Sequence, residues 1–360
     1  MSKQQNPITL GKTGLDLLPT IQTFTPAYGR IADSGLFKGV ALNTDVAMWK
    51  IEQQENARMT KLTSYHERDA TRVGAVKEKW VTVGALSLKK TGSVKVEDLR
   101  NRYFGGAFDL TATSVQDKII ERTRAMYNTY SQEKEWLLLT TSQGKTKDLS
   151  GNIITDLFAE TGTTQSTLTI DASPSSTTLI SGLQTLSNMI SNLNGWYGVV
   201  GGIEVVVAED VFNAIETHPE FVTAAQLAFT GMGSAAMNNP LFLGQASTPE
   251  YTRYGNYRVL RWQNLVITTY PQTFRTLNDQ NLTAVPNGKG WTIARGVDEC
   301  YELGFVPAPY FSTIGREGQE IYARSTGVVD DTHIDITIES HLMPMMKRPE
   351  LSIDLTFTLT

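Results

Sequence analysis

Only one cysteine, Cys300, occurs among 360 residues. A single thiol excludes an intrachain disulfide and a cysteine-only zinc site, and it fits a reducing cytoplasm. No segment approaches the roughly eighteen apolar residues of a membrane-spanning helix. The N-terminal MSKQQNPITL has no apolar signal core either. The expectation is a soluble chain that has no membrane partner and is not exported by a standard signal. Charge is also sparse: charged residues make up 19 % and the net balance is −5, with no strongly basic half. Proteins that grip a nucleic-acid backbone usually carry a basic stripe, and this chain does not advertise one. Apolar content is ordinary at 40 %, and the length is sufficient for two or three packed units.

Signatures of chemistry are equally scarce. Two Gly-Lys-Thr triplets, at residues 11–13 and 144–146, invite a phosphate-loop reading. That loop needs another glycine five residues earlier, so that its amides wrap the phosphates. Asn6 and Leu139 stand there instead. Gly231-Met232-Gly233 lacks the third glycine of a dinucleotide fingerprint. The histidines, His66, His218, His333 and His341, form no HExxH pair and have no cysteine at ligand spacing. Asp330, Asp331, His333 and Asp335 are the densest metal candidate. On a strand, Asp331, His333 and Asp335 share one side, which reads either as a ligand set or, more simply, as a solvated face. His218 falls at a helix end, where a cation suits the dipole. Cys300 has no base nearby in sequence and reads as an inert buried thiol. A G-x-S-x-G elbow is missing. No catalytic, cofactor-binding or metal-ligating residue is assigned, and the chain is not expected to be an enzyme.

The strongest local signal is a helix over 113–139. Ser114 reads as its N-cap, with Asp117 completing a capping box, and Val115, Ile119, Met126, Tyr130 and Leu137 recur at helical spacing. Its end runs into Trp136–Thr141, an apolar and β-branched stretch that reads as a strand, paired in a hairpin with Ile153–Phe158. Residues 1–43, interrupted by Pro7, Pro19 and Pro26, read as an extended arm, either disordered alone or lying on another surface. Asp45–Gln53 and Trp80–Leu88 are β-prone and flank a polar stretch containing Arg58, Lys61, His66 and Arg72. That pattern fits a projecting hairpin or a solvated loop. Further on, Leu179, Leu183, Leu186, Ile190 and Leu193 predict a second helix, stopped by Gly195. Strands follow at Ile203–Val207, Tyr257–Trp262, Leu265–Tyr270 and Trp291–Ala294, with a helix over Glu209–Thr217. Ile334, Ile336 and Ile338 alternate with polar residues, as do Leu351, Ile353, Leu355, Phe357 and Leu359. This last strand is expected to pack on the long helix.

An arm, a hairpin, a beam-like helix and an inserted compact block, with no chemistry to serve, suit one tile of a large assembly. Several stretches resemble, in order and wording, the lambda major head protein family of tailed-phage major capsid proteins. They are Asp45–Lys50 leading to Trp80–Lys89, LLLTTSQGKTKDLSGNIITDLF at 137–158 and VVVAEDVFNAIETHPEF at 205–221. YGNYRVLRWQNLVITTYP at 254–271, VPNGKGWTIARG at 285–296 and ESHLMPMMKRPELSIDLTFTL at 339–359 continue the series. The resemblance implies the Hong Kong 97-type capsid fold, an α+β architecture. It would divide into an N-terminal arm (1–43), an extended β-hairpin loop (44–100) and a peripheral domain (101–176) with spine helix 113–139. An inserted axial domain (177–298) and returning peripheral strands (299–360) complete it. It also implies self-assembly into hexamers and pentamers of an icosahedral head shell around double-stranded DNA. A separate scaffolding protein and a portal would act during assembly in the host cytoplasm, and some relatives add a cement or decoration protein. No cofactor is implied. Some such shells cross-link Lys to Asn; Lys61, Lys77 and Lys79 are available donors, but nothing marks a partner. An encapsulin-like compartment shell of the same fold is the alternative. A nucleotide-dependent enzyme using Lys145 is a third reading. A mildly acidic shell would avoid tight, salt-dependent binding to the genome it must release.

Overall fold

The computed structural model describes residues 17–26, 28–53, 77–100, 112–194, 200–223, 248–252, 255–270, 273–275, 281–297, 299–327, 329 and 332–360. The chain divides into two compact units. The first holds residues 1–47, 83–135 and 303–344; the second holds 48–82, 136–302 and 345–360.

The first unit is organised by a helix lying on a sheet. Strands Lys38–Ala41, Tyr301–Phe305, His333–Met346 and Tyr322–Ser325 neighbour one another in that order, and Leu86–Lys95 also pairs with His333–Met346. This last pairing is antiparallel, from His333 opposite Lys95 to Leu342 opposite Leu86. Ile334, Ile336 and Ile338 point to one side, as their alternation requires. There they join Val94, Ala323, Ile119 and Met126 in one apolar cluster, with Val115 half-buried at its margin. The helix runs from Ala112 to Ser142, about 46 Å at 1.5 Å per residue. Buried positions 119, 123, 126, 130 and 133 step by four and three, the stripe that rests on the sheet, while Ser131, Glu135 and residues 136–142 are buried as well.

Three expectations are corrected here. The helix begins before Ser114, which stands inside its first turn and not at the cap. The stripe rests on His333–Met346 and its neighbours, whereas the terminal strand belongs to a different sheet. Two amphipathic strands were on offer, and alternation alone does not say which of them covers a helix. The described part of residues 1–43 does not extend away. Leu17 and Ile21 are buried in the same cluster, and Leu17 N donates to Ala323 O at 3.1 Å.

The second unit corrects a fourth. Trp136–Thr141 is not a strand but the last turns of the long helix, buried on every side. A short apolar run does not distinguish a buried strand from a buried helix end. The β-branched residues are accommodated because Thr140 and Thr141 bond back to Trp136 O and Leu137 O at 2.9 and 2.7 Å. The helix stops at Gly144, whose φ of 81° favours glycine; a Cβ there would run into the Phe158 ring. The true hairpin is Lys145–Lys147 with Ile153–Asp156, followed by a helical turn, Leu157–Thr161.

A seven-stranded sheet forms the body of this unit. Its order is Thr167–Asp171, Asp354–Thr358, Lys289–Arg295, Gly202–Val207, Leu265–Thr269, Gly255–Trp262 and Thr248–Thr252. The first two strands run parallel, as do Gly202–Val207 and Leu265–Thr269. Helix Leu179–Asn194 buries Leu179, Leu183, Leu186 and Ile190 completely and lies close on Thr167–Asp171, where a Cβ at Gly182 would come within 3.0 Å of the Ile170 side chain.

Candidate assembly surfaces

The residues singled out for chemistry have structural duties. Gly144-Lys145-Thr146 stands in the order helix, glycine, strand, the reverse of what a phosphate loop requires. The Lys145 ammonium donates to Gln165 Oε1 at 2.9 Å, and buried Thr146 shares a hydroxyl bond of 2.9 Å with Thr141. His218 stands at the C-cap of helix Glu209–Thr217, the helix end expected of it. Its buried ring accepts the Glu220 amide at Nδ1 (3.3 Å) and meets Ser173 O at Nε2 (2.9 Å). His333 contacts Thr332 and lies 3.7 Å from Asp335. Among the described residues no group of three or more His, Cys, Asp or Glu could hold a metal ion. Cys300 is buried, and burial pushes its thiol up to about 12, out of the nucleophilic range. Residues 11–13, His66, the 231–233 triplet, Asp330 and Asp331 lie outside the described residues.

Exposed apolar side chains show more. Val46–Gln53 and Lys77–Gly84 pair as a two-stranded ribbon; the charged stretch between them lies outside the described residues. Along the second strand Val81 and Val83 are buried while Trp80 is 55 % exposed, and on the first strand Met48 is 63 % exposed. Exposed apolar residues on the outer face of a two-stranded ribbon make it a candidate contact surface. Gly84 ends the ribbon, and Leu86 starts the strand that joins the first unit's sheet. The expected strand Trp80–Leu88 is thus two strands broken at Ala85.

A second apolar tip lies at Phe311–Thr313, a 3₁₀ turn that leaves Phe311 97 % and Ile314 74 % exposed. The turn is held from below. Thr313 N and Oγ1 both donate to Tyr310 O, and the Tyr310 hydroxyl donates to the buried Glu339 carboxylate. His341 Nε2 lies 2.9 Å from the same carboxylate, Lys89 lies 3.7 Å away, and Arg324 stacks over the Tyr310 ring at 3.9 Å. Sequence reasoning passed over this tip; the prolines at 307 and 309 and Gly315 were its only signals. Burial works against the Glu339 charge, but the Tyr310 hydroxyl, His341 and Lys89 outweigh it and hold the carboxyl below its ordinary range. Burial and the bond to Glu339 push Tyr310 up to about 12. A depressed carboxyl stabilises the fold above its unfolded pKa, and that contribution is lost as pH falls through the folded value. Glu339→Gln should therefore lower the melting temperature near neutral pH and narrow its fall between about pH 7 and about pH 3. An acid limb as steep as that of the wild type would remove Glu339 from this role.

Set against known proteins, the family model of phage major capsid protein E matches residues 15–357. The major capsid protein of Salmonella phage Felix O1 (isolate Felix O1-VT1) is 20 % identical over 358 residues, 94 % of this chain and 94 % of that protein. A crystal structure described as a prophage capsid protein of E. coli CFT073 matches with a TM-score of 0.57. It covers 96 % of this chain and 100 % of that one at 11 % identity. At that identity the likeness establishes the fold alone.

Proposed function

The chain belongs to the phage major capsid protein E family and is a phage major capsid protein with the Hong Kong 97-type fold, and on that premise we propose that it tiles an icosahedral head. Copies assemble into hexamers and pentamers, and the shell encloses double-stranded DNA without reading its sequence. The observation that carries this is the family match, which spans nearly the whole chain and so includes both units. It favours a virion shell over an encapsulin-like compartment. The family is a structural one, and the chain acts by assembly, not by catalysis. In this role the ribbon of Val46–Gln53 and Lys77–Gly84 belongs to the extended loop and the helix Ala112–Ser142 is the spine, with the axial domain drawn from residues 177–298 and the peripheral domain from 101–176 and 299–360. A separate scaffolding protein and a portal act during assembly in the host cytoplasm.

The exposed residues of the ribbon support a role between subunits. An obligate contact buries about 2,000 Å² or more, and Met48 and Trp80 supply apolar anchors for one. Hydrogen exchange on unassembled and assembled protein tests this. Amides of 46–53 and 77–84 should gain protection on assembly. Trp80→Ser should alter subunit stability by no more than about 0.5 kcal/mol while sharply reducing the yield of closed shells. Equal protection in both states would end the intersubunit role of the ribbon.

A further inference from the structure

A cavity of about 350 Å³ lies against one face of the seven-stranded sheet. Register sets Lys289 opposite Thr356 and Trp291 opposite Asp354, so these side chains share that face. The end of the long helix contributes Trp136 to the cavity. Strand Lys145–Lys147 contributes its two lysines, which alternate away from buried Thr146. The indole N–H groups are already occupied: Trp136 Nε1 donates to Asp148 O at 2.7 Å and Trp291 Nε1 to Ser142 Oγ at 3.2 Å. The two ring systems therefore offer apolar surface only.

The charges are unbalanced. Lys145, Lys147 and Lys289 line the cavity with a single carboxylate, Asp354, leaving two positive charges in excess. The helix C-terminus adds only about half a negative charge. Lys145 and Lys289 donate to neutral partners, Gln165 Oε1 at 2.9 Å and Thr356 Oγ1 at 2.7 Å. Lys147 is half-buried, and among the described residues its ammonium has no hydrogen bond or ion pair. Burial and neighbouring Lys145 hold it below the ordinary lysine range, and Asp354 offsets this only in part. A partly desolvated ammonium without a counter-charge is costly, and half-buried Lys147 shares its cavity with half-buried Lys145 and exposed Lys289.

We propose that this cavity binds a small phosphate-bearing anion. Ammonium groups are compact point charges that suit a multiply charged oxyanion. The volume falls at the small end of small-molecule sites. The buried indole faces would receive the apolar part of a phosphate ester.

Competitive amine labelling of the full-length, unassembled protein tests the site, read by mass spectrometry in inorganic phosphate or in chloride at matched ionic strength. Phosphate at several times its Kd should slow labelling of Lys145 and Lys147 by at least about threefold, with exposed Lys38 unchanged. Phosphate should also raise the melting temperature of the wild type above its value in chloride, and Lys147→Gln should lose that rise. Adenosine monophosphate beside inorganic phosphate separates an ester from the free ion, and specific protection by either supports the site. Equal labelling in phosphate and chloride would overturn it. So would Lys147 protection that arises only on shell assembly in phosphate-free buffer, which would identify a neighbouring subunit's carboxylate as the partner. Because the labelling uses unassembled chain, failure here leaves the shell function untouched.

Discussion

Leu355→Asp is expected to give insoluble protein and no particles. Leu355 is fully buried near the start of the terminal strand Asp354–Thr358. It lies between Leu168 of a parallel neighbour and Gly290 of an antiparallel one. An uncompensated charge in such a place costs several kcal/mol, a large fraction of the roughly 5–15 kcal/mol that holds a domain folded. Leu355→Ala, which leaves a cavity without a charge, should cost about 2–5 kcal/mol and retain some soluble protein. Thr356→Asp, on the half-buried opposite face, is the control and should remain soluble. Soluble yield, melting temperature and electron microscopy of the product separate the three. Normal shells from Leu355→Asp would place this face outside the core.

That burial was legible because alternation reports which face is apolar, and Leu351, Ile353, Leu355 and Phe357 are all buried. The covering partner was not legible. His333–Met346 carries an equally regular pattern, and it is this strand that meets the helix stripe. The helix was visible through most of its length because spacing of three and four survives wherever one side faces solvent. From Trp136 onward every side is buried, the period vanishes, and a strand reading wins by default. The ribbon shows a different limit. A rule that puts large apolar residues inside would bury Trp80, yet Val81 and Val83 occupy the inner face and Trp80 the outer. Such an inversion is uneconomical in a lone subunit and reasonable in one whose outer face meets another copy. Phe311 and Ile314 were invisible for a related reason: a short turn has no period, and its support comes from Glu339, which is distant in sequence.

Glu135→Ala is expected to detach the segment that precedes the first strand. Glu135 is fully buried on the long helix, and its carboxylate accepts the amides of Ile31 at 2.6 Å and Ala32 at 3.0 Å. Those amides open the 3₁₀ turn Ala32–Ser34, so a helix side chain caps a turn more than a hundred residues earlier in the chain. Truncation leaves both donors without that acceptor, at about 1–3 kcal/mol each. Glu135→Gln keeps one acceptor oxygen and should lose about half as much. Hydrogen exchange should show the alanine variant losing protection at Ile31 and Ala32 first. The Leu17 amide, bonded to Ala323 O, should follow once the segment loosens, while the helix amides around Ile119 and Met126 stay protected by the sheet beneath them. Native protection at Ile31 and Ala32 in Glu135→Ala would show that apolar burial of Leu17, Ile21 and Ile31 holds the segment without the carboxylate. Two of the long helix's attachments can thus be cut independently: the apolar stripe on the sheet, and the buried carboxylate that fixes where the N-terminal segment turns.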